Sequence, residues 1–204
     1  ILSQGHVSYS DVCPDNGQHY KDNLQSACNT GLITRAVAQE AIANLDTLTT
    51  PLRVDYRNES SIPNGSFVLS GVQQTQESFV YVVTETCYWE RKCHLTEKIF
   101  KPIVSRMPFI LVGCAHNLAY LRSYGFRTFD RWIDESYDTI EDPMERMQAV
   151  IEQLRYICSL KEGELLIMRA KMDHVLQHNY NRFNDPSFLA QCWKELQTKL
   201  KSCV

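Results

Sequence analysis

The sequence has little of what would place it outside the ordinary globular class. No apolar run approaches the roughly 18 to 20 residues that span a bilayer. The opening ILSQGHVSYSDVC has neither the basic nor the apolar segment of a secretory leader. Net charge is only -3 over 204 residues, so no charged surface advertises a polyanion, and neither nucleic acid nor membrane is an expected partner. The eight cysteines (Cys13, Cys28, Cys87, Cys93, Cys114, Cys158, Cys192, Cys203) form no dense framework in a chain long enough to build a core without staples. Free thiols and a soluble, intracellular setting are the expectation. Internal repeats and low-complexity tracts are absent. The sequons Asn58-Glu59-Ser60 and Asn64-Gly65-Ser66 read as a polar surface loop.

What is present is an alternation of apolar periods. Residues 1–31 are polar and broken by Pro14, Asn16-Gly17 and Gly31, which predicts an irregular segment. From Leu32 to Leu48, Ile33, Val37, Ala41 and Leu45 recur every four residues and predict an amphipathic helix. PLRVDY and SFVLSGV are candidate short strands. Phe79 to Thr84 is the first strong strand, and the unbroken apolar character of FVYVV predicts burial on both faces. LTEKIFKPIVSR then reads as a helix with Pro102 inside it, PFILVG as a second buried strand, NLAYLRSYGF as a helix closed by Gly125, and RTF as a third strand.

Three helices follow. Asp142 caps the first, with Pro143 at its first position and Met147, Val150, Ile151, Leu154 and Ile157 facing inward. The second covers residues 163–183 with Leu165, Met168, Met172, Val175 and Leu176 on one face. The third starts at Asp185-Pro186 and spaces Phe188, Cys192, Leu196 and Leu200 by four. The expected class is α/β, a parallel sheet flanked by helices with a helical carboxy-terminal tail. Its domains are 1–65, irregular and helical, the remnant of a second lobe, and 66–204. In such sheets ligands sit beyond the carboxyl ends of the strands.

The stretch VVTETCYWERKCHLTEKIFKPIVSRMPFILVG lies at such an end. A helix starting near Thr96 presents unpaired N–H groups and a positive dipole end, an anion site to which Lys98 adds a full charge. The Thr96 hydroxyl can cap that helix or bond a ligand, and Glu97 offers acceptors suited to sugar or ribose hydroxyls. Taken alone, a Thr-Glu-Lys tripeptide is more often a capped helix start than a binding motif. Arg91 and Lys92, beside Tyr88 and Trp89, read equally as a reinforced phosphate site or as a solvated loop.

In order and spacing, FVYVVTET, CYWERKCH, LTEKIFKPIVSRM and PFILVG resemble the donor-binding motif of the alpha-1,3-fucosyltransferase family, in which Tyr-Val-Thr-Glu-Lys opens a helix between two strands. FRTFDRWIDESYD resembles the family's Phe-Ile-Asp segment, and the likeness spans roughly residues 66–160. Cys93-His94 stands where the family usually has Asp-Tyr. The resemblance implies a Rossmann-like, donor-binding lobe of a GT-B glycosyltransferase that inverts the anomeric centre without a metal. On matched positions Lys98 would meet the donor diphosphate, Glu97 the hydroxyls and Thr96 the helix start, with Glu85 at the family's strand-end acid and Arg91 a supporting contact. The nucleotide sugar, for which a GDP-linked donor is one candidate, is a substrate and not a cofactor. The acceptor and the catalytic base stay unassigned, because residues 1–65 are too few for a second lobe. The chain begins at Ile1 and reads as a fragment, as an enzyme with a small base lobe, or as a fold kept for building.

Similar Thr-Glu-Lys regions in reading frames of tailed bacteriophages imply a phage-encoded relative as one origin. The location is then cytoplasmic or virion-associated, and a homo-oligomer or larger assembly is the partner in a non-catalytic alternative. A zinc site at Cys87, Cys93 and His94 lacks a fourth ligand at suitable spacing, and no metal is expected. A cysteine nucleophile served by His94, His116 or His174 has no marker of activation. Arg122, Arg127 and Arg131 read as surface partners of Asp130, Asp134 and Glu135, and residues 178–182 as a fraying helix end.

Overall fold

The computed structural model describes residues 4–7, 12, 17–48 and 72–202. The described residues up to 48 belong to one compact unit and those from 72 onward to a second. PLRVDY, all of SFVLSGV but its last residue, and both sequons lie outside them.

In the first unit, helix α1 covers Tyr20–Asn29 within the segment expected to be irregular. The correction has a local cause. His19 accepts the Lys21 N–H at 3.3 Å and starts the helix, while Tyr20 is its only buried residue, so no apolar period announces it. Helix α2, Arg35–Leu45, is capped by Thr34, whose hydroxyl accepts the Val37 N–H. Its buried residue is Ala38, one position round from the predicted face, and Val37 is exposed.

The second unit runs α3 (Val72–Glu77), β1 (Tyr81–Thr84), α4 (Glu97–Val104), β2 (Phe109–Val112), α5 (Asn117–Ser123), a 3-10 turn (Ser136–Thr139), α6 (Pro143–Ser159), α7 (Glu162–Asn184) and α8 (Pro186–Ser202). The chain is mixed α/β and helix-rich, and its described residues hold one two-stranded parallel sheet, with Tyr81 opposite Phe109 through Thr84 opposite Val112. All four β2 residues are buried, but in β1 Val83 is buried and Val82 exposed, so β1 is covered on one face and not on two. Val83, Ile99, Ile103, Leu118, Leu121, Phe129, Val150 and Met172 form the centre of the core with β2. At roughly 1.5 to 3 kcal/mol for each large side chain removed from water, this cluster dominates the stability of the unit.

The third strand at RTF does not form, because side chains take the bonds a neighbouring strand would have made. Asn179 of α7 accepts the Arg127 N–H and donates to the Arg127 carbonyl, both at 2.8 Å. Glu135 accepts the Phe129 N–H. On the other side of the gap, the Leu111 N–H of β2 donates to the Tyr137 hydroxyl at 3.3 Å. Residues 178–182 accordingly do not fray: Asn179 holds Arg127, and Arg182 donates to the Tyr124 carbonyl at 2.7 Å. Gly125 closes α5 at φ +86°, a conformation that suits a residue without Cβ.

Asp142 caps α6 as predicted, accepting from Met144 and Glu145. Its inward face is partly corrected: Val150 and Ile157 are buried with Arg146, while Met147 and Leu154 pack at the margin. On α8, Phe188 meets the core, but Leu189, Trp193, Leu196 and Leu200 are exposed. Among the described residues no helix is long and apolar enough to cross a membrane.

Candidate functional site

Where β1 ends, Glu85 turns inward and is 6% exposed. One of its carboxylate oxygens accepts the Thr96 hydroxyl at 2.6 Å, and both accept the Thr96 N–H at 3.2 Å. The hydroxyl in turn accepts from the Lys98 N–H at 3.3 Å, which makes Thr96 the cap of α4, and from the Lys98 ammonium at 3.4 Å. Lys98 also lies 3.3 Å from the Glu97 carboxylate, with both side chains about a third exposed. Burial pushes the Glu97 carboxyl up, but its own backbone N–H, Lys98 and Lys101 outweigh burial and hold it below the ordinary carboxylate range.

Four of the five sequence-predicted donor residues therefore meet at one helix start: Glu85, Thr96, Glu97 and Lys98. Arg91 does not join them. Its side chain is 90% exposed and its guanidinium lies 4.0 Å from Glu141. α4 continues through the buried Pro102 to Val104. The Thr96 and Lys98 amides are already engaged by Glu85 and by the Thr96 hydroxyl, so an incoming anion must compete with these and with Glu97. A half-exposed ion pair contributes only about 0 to 1 kcal/mol, so Lys98 can leave Glu97 at little cost.

The loop between β1 and α4 is held by residues that periodicity did not single out. Asn117, 1% exposed, accepts the His94 N–H and donates to the His94 carbonyl, each at 3.1 Å. Gly113 makes room for it: a Cβ there would lie 2.2 Å from the Asn117 amide nitrogen. Arg146 is buried and donates to four backbone carbonyls, Gly113 at 3.0 Å, Ile140 at 2.7 Å, Glu141 at 3.1 Å and Tyr88 at 2.7 Å, with the Tyr88 ring 4.6 Å from its guanidinium. One cation thus ties the segments after β1, after β2 and before α6. A buried arginine within an amphipathic helix has no sequence signature that separates it from a surface one.

A second helix starts at the same edge. Asp138, 4% exposed, accepts the Leu118 and Ala119 N–H groups at 2.8 and 3.1 Å and so caps α5 from the 3-10 turn. Deeper, Glu135 accepts from the Thr128 hydroxyl at 2.7 Å, from the Phe129 N–H at 2.6 Å and from Arg122. Its burial raises the carboxyl above the ordinary value despite these donors.

Beside the start of α4, a cavity of about 330 Å³ is lined by His94, Leu95, Phe100, Tyr120, Tyr124 and Phe188, with Cys93 and Cys192 also on its wall. Among the described residues no three His, Cys, Asp or Glu side chains converge on a point where a metal could sit. Comparison with protein-family models, characterised proteins and solved structures gives no match to this chain.

Proposed function

We propose that the second unit is a Rossmann-like donor-binding lobe of a GT-B glycosyltransferase similar to the alpha-1,3-fucosyltransferases, serving transfer of a sugar from a nucleoside diphosphate to an acceptor hydroxyl with inversion. The observation that carries the reading is the relay Glu85–Thr96–Lys98 at the carboxyl end of a parallel strand pair. Glu85 fixes the cap, and Lys98 remains the mobile charge. Lys98 swings from Glu97 to the diphosphate as the bond to the sugar breaks. A cation placed where negative charge develops favours the transition state over the ground state. Glu97, released from Lys98, turns to the sugar or ribose hydroxyls. Arg91, already in solvent, serves at most as a long-range attraction for the donor.

Calorimetry with GDP, UDP and a nucleotide sugar tests this. The Lys98→Ala variant should weaken diphosphate binding about tenfold or more, in line with the loss of a charge-assisted contact of roughly 1.5 to 3 kcal/mol, with the melting temperature unchanged. Glu97→Ala should weaken the nucleotide sugar and leave the bare diphosphate bound as tightly or more so. A folded chain that takes up no nucleoside diphosphate sinks the proposal.

A second reading is favoured by the occupied amides of α4 and by the exposed Leu189, Trp193, Leu196 and Leu200 of α8. In it the same lobe is a non-catalytic structural or interaction part, a phage virion component being one example. Sedimentation showing a concentration-dependent oligomer without nucleotide binding supports it, and a monomer that turns over a sugar donor excludes it.

A further inference from the structure

We infer that Cys93 and Cys114 form a thiol–disulfide site, open to small disulfides of the oxidised-glutathione class through the aromatic cavity. Two segments cross here. The Cys114 thiol donates to the Lys92 carbonyl at 3.1 Å and to the Asn117 side-chain oxygen at 3.3 Å. The Cys93 thiol donates to the Ala115 carbonyl at 3.6 Å. Each sulfur thus lies against the backbone next to the other cysteine. The Asn117–His94 pairing and the Arg146 bonds to Tyr88 and Gly113 keep the segments in this register.

The two thiols differ in access. Cys93 is half-buried and lines the cavity, while Cys114 is 2% exposed behind it. Burial, reinforced by Cys93, pushes the Cys114 thiol up to about 11, so it is the slower nucleophile. In the order this imposes, the Cys93 thiolate attacks one sulfur of RSSR, a Cys93–SR bond forms, and RS⁻ leaves. The Cys114 thiolate then attacks the Cys93 sulfur, the Cys93–Cys114 bond forms, and a second RS⁻ departs. The two protons lost by the cysteines are taken up by the two thiolates released: one disulfide is reduced and one protein disulfide is made. The product would tether the stretch leading into Thr96 to the turn after β2. This inference stands apart from the donor-binding reading, since it needs no nucleotide.

The test is incubation of the full chain with oxidised glutathione, alkylation of remaining thiols and peptide mapping without reduction. The expected product is a cross-linked pair of peptides containing Cys93 and Cys114, reversed by dithiothreitol. Cys114→Ser should instead accumulate a glutathione adduct at Cys93, and Cys93→Ser should leave Cys114 free for alkylation after unfolding. A wild-type chain that holds a stable adduct at Cys93, that joins either residue to Cys87 or Cys192, or that leaves both as thiols overturns the inference.

Discussion

Helices α4 and α5 start at the same edge of the same sheet, and a buried carboxylate sits at each start, yet the two starts differ in what they leave available. At α5, Asp138 takes two amides and the residue in the cap position, His116, stands at φ 67° with no capping bond from its side chain. That site is closed by protein. At α4 the cap is the local Thr96, the buried Glu85 bonds the cap and not the helix amides beyond it, and Lys98 and Glu97 sit half-exposed over the first turn. The contrast is between a helix start shut by a buried carboxylate and one covered by weakly held surface charges.

The largest effect that sharpens this contrast comes from the residue that ties the segments leaving β1 and β2. Arg146→Met should cost upward of about 3 kcal/mol, because it strands several buried carbonyls after β1 and β2 at about 1 to 3 kcal/mol each. Urea unfolding measures it, and a loss under 1 kcal/mol would mean that the two edges are tied elsewhere. Asp138→Ala comes next, at about 2 to 3 kcal/mol, since the buried Leu118 amide and the more exposed Ala119 amide both lose this acceptor. Glu85→Gln should cost less, about 1 to 2 kcal/mol, because one amide oxygen still accepts from Thr96. Equal losses in these last two variants would break the distinction between a closed and an open helix start.

The acids of the region also separate by pH. The Glu135 carboxyl is raised, so its contribution is full below its ordinary 4.5 and is lost as pH rises through the folded value. The Glu97 carboxyl is lowered, so its contribution is present above 4.5 and is lost as pH falls through the folded value. Denaturation midpoints measured across pH should therefore lose slope above 4.5 in Glu135→Gln and below 4.5 in Glu97→Gln, the latter weakly because its side chain is a third exposed. Smallest of all, Lys98→Ala should shift stability by no more than about 0.5 kcal/mol, even though it is the variant expected to matter most for nucleotide affinity. A large stability loss there would make Lys98 a structural residue and remove the contrast with α5.

Periodicity and caps placed α4, β2, α5 and the three carboxy-terminal helices to within a few residues, because each carries its own start signal or apolar repeat: Thr96, Asp142, Pro143, Asp185-Pro186. Helix α1 was missed since it buries one side chain and repeats nothing. The third strand was expected at RTF, residues 127–129, as the next step in the alternation of strand and helix. Only the arrival of Asn179, 52 positions away in sequence from Arg127, replaces its ladder. Of the candidate site, the local tripeptide Thr96–Lys98 was legible in the residues themselves, while Glu85 was named only through the family resemblance. The clamps Asn117, Asp138 and Arg146 were not legible, as a buried polar residue looks in sequence like an exposed one.

By itself, then, the sequence determined where helices begin and which short runs are apolar, because capping and burial periods are properties of neighbours along the chain. Tertiary structure alone decided which strands pair, which helix start is shut and which backbone carbonyl each of the Cys93 and Cys114 thiols meets. Those outcomes depend on side chains reaching across 20 or more positions to take a backbone bond, as Asp138 does for Leu118 and Arg146 for Gly113, and no local pattern encodes the far partner.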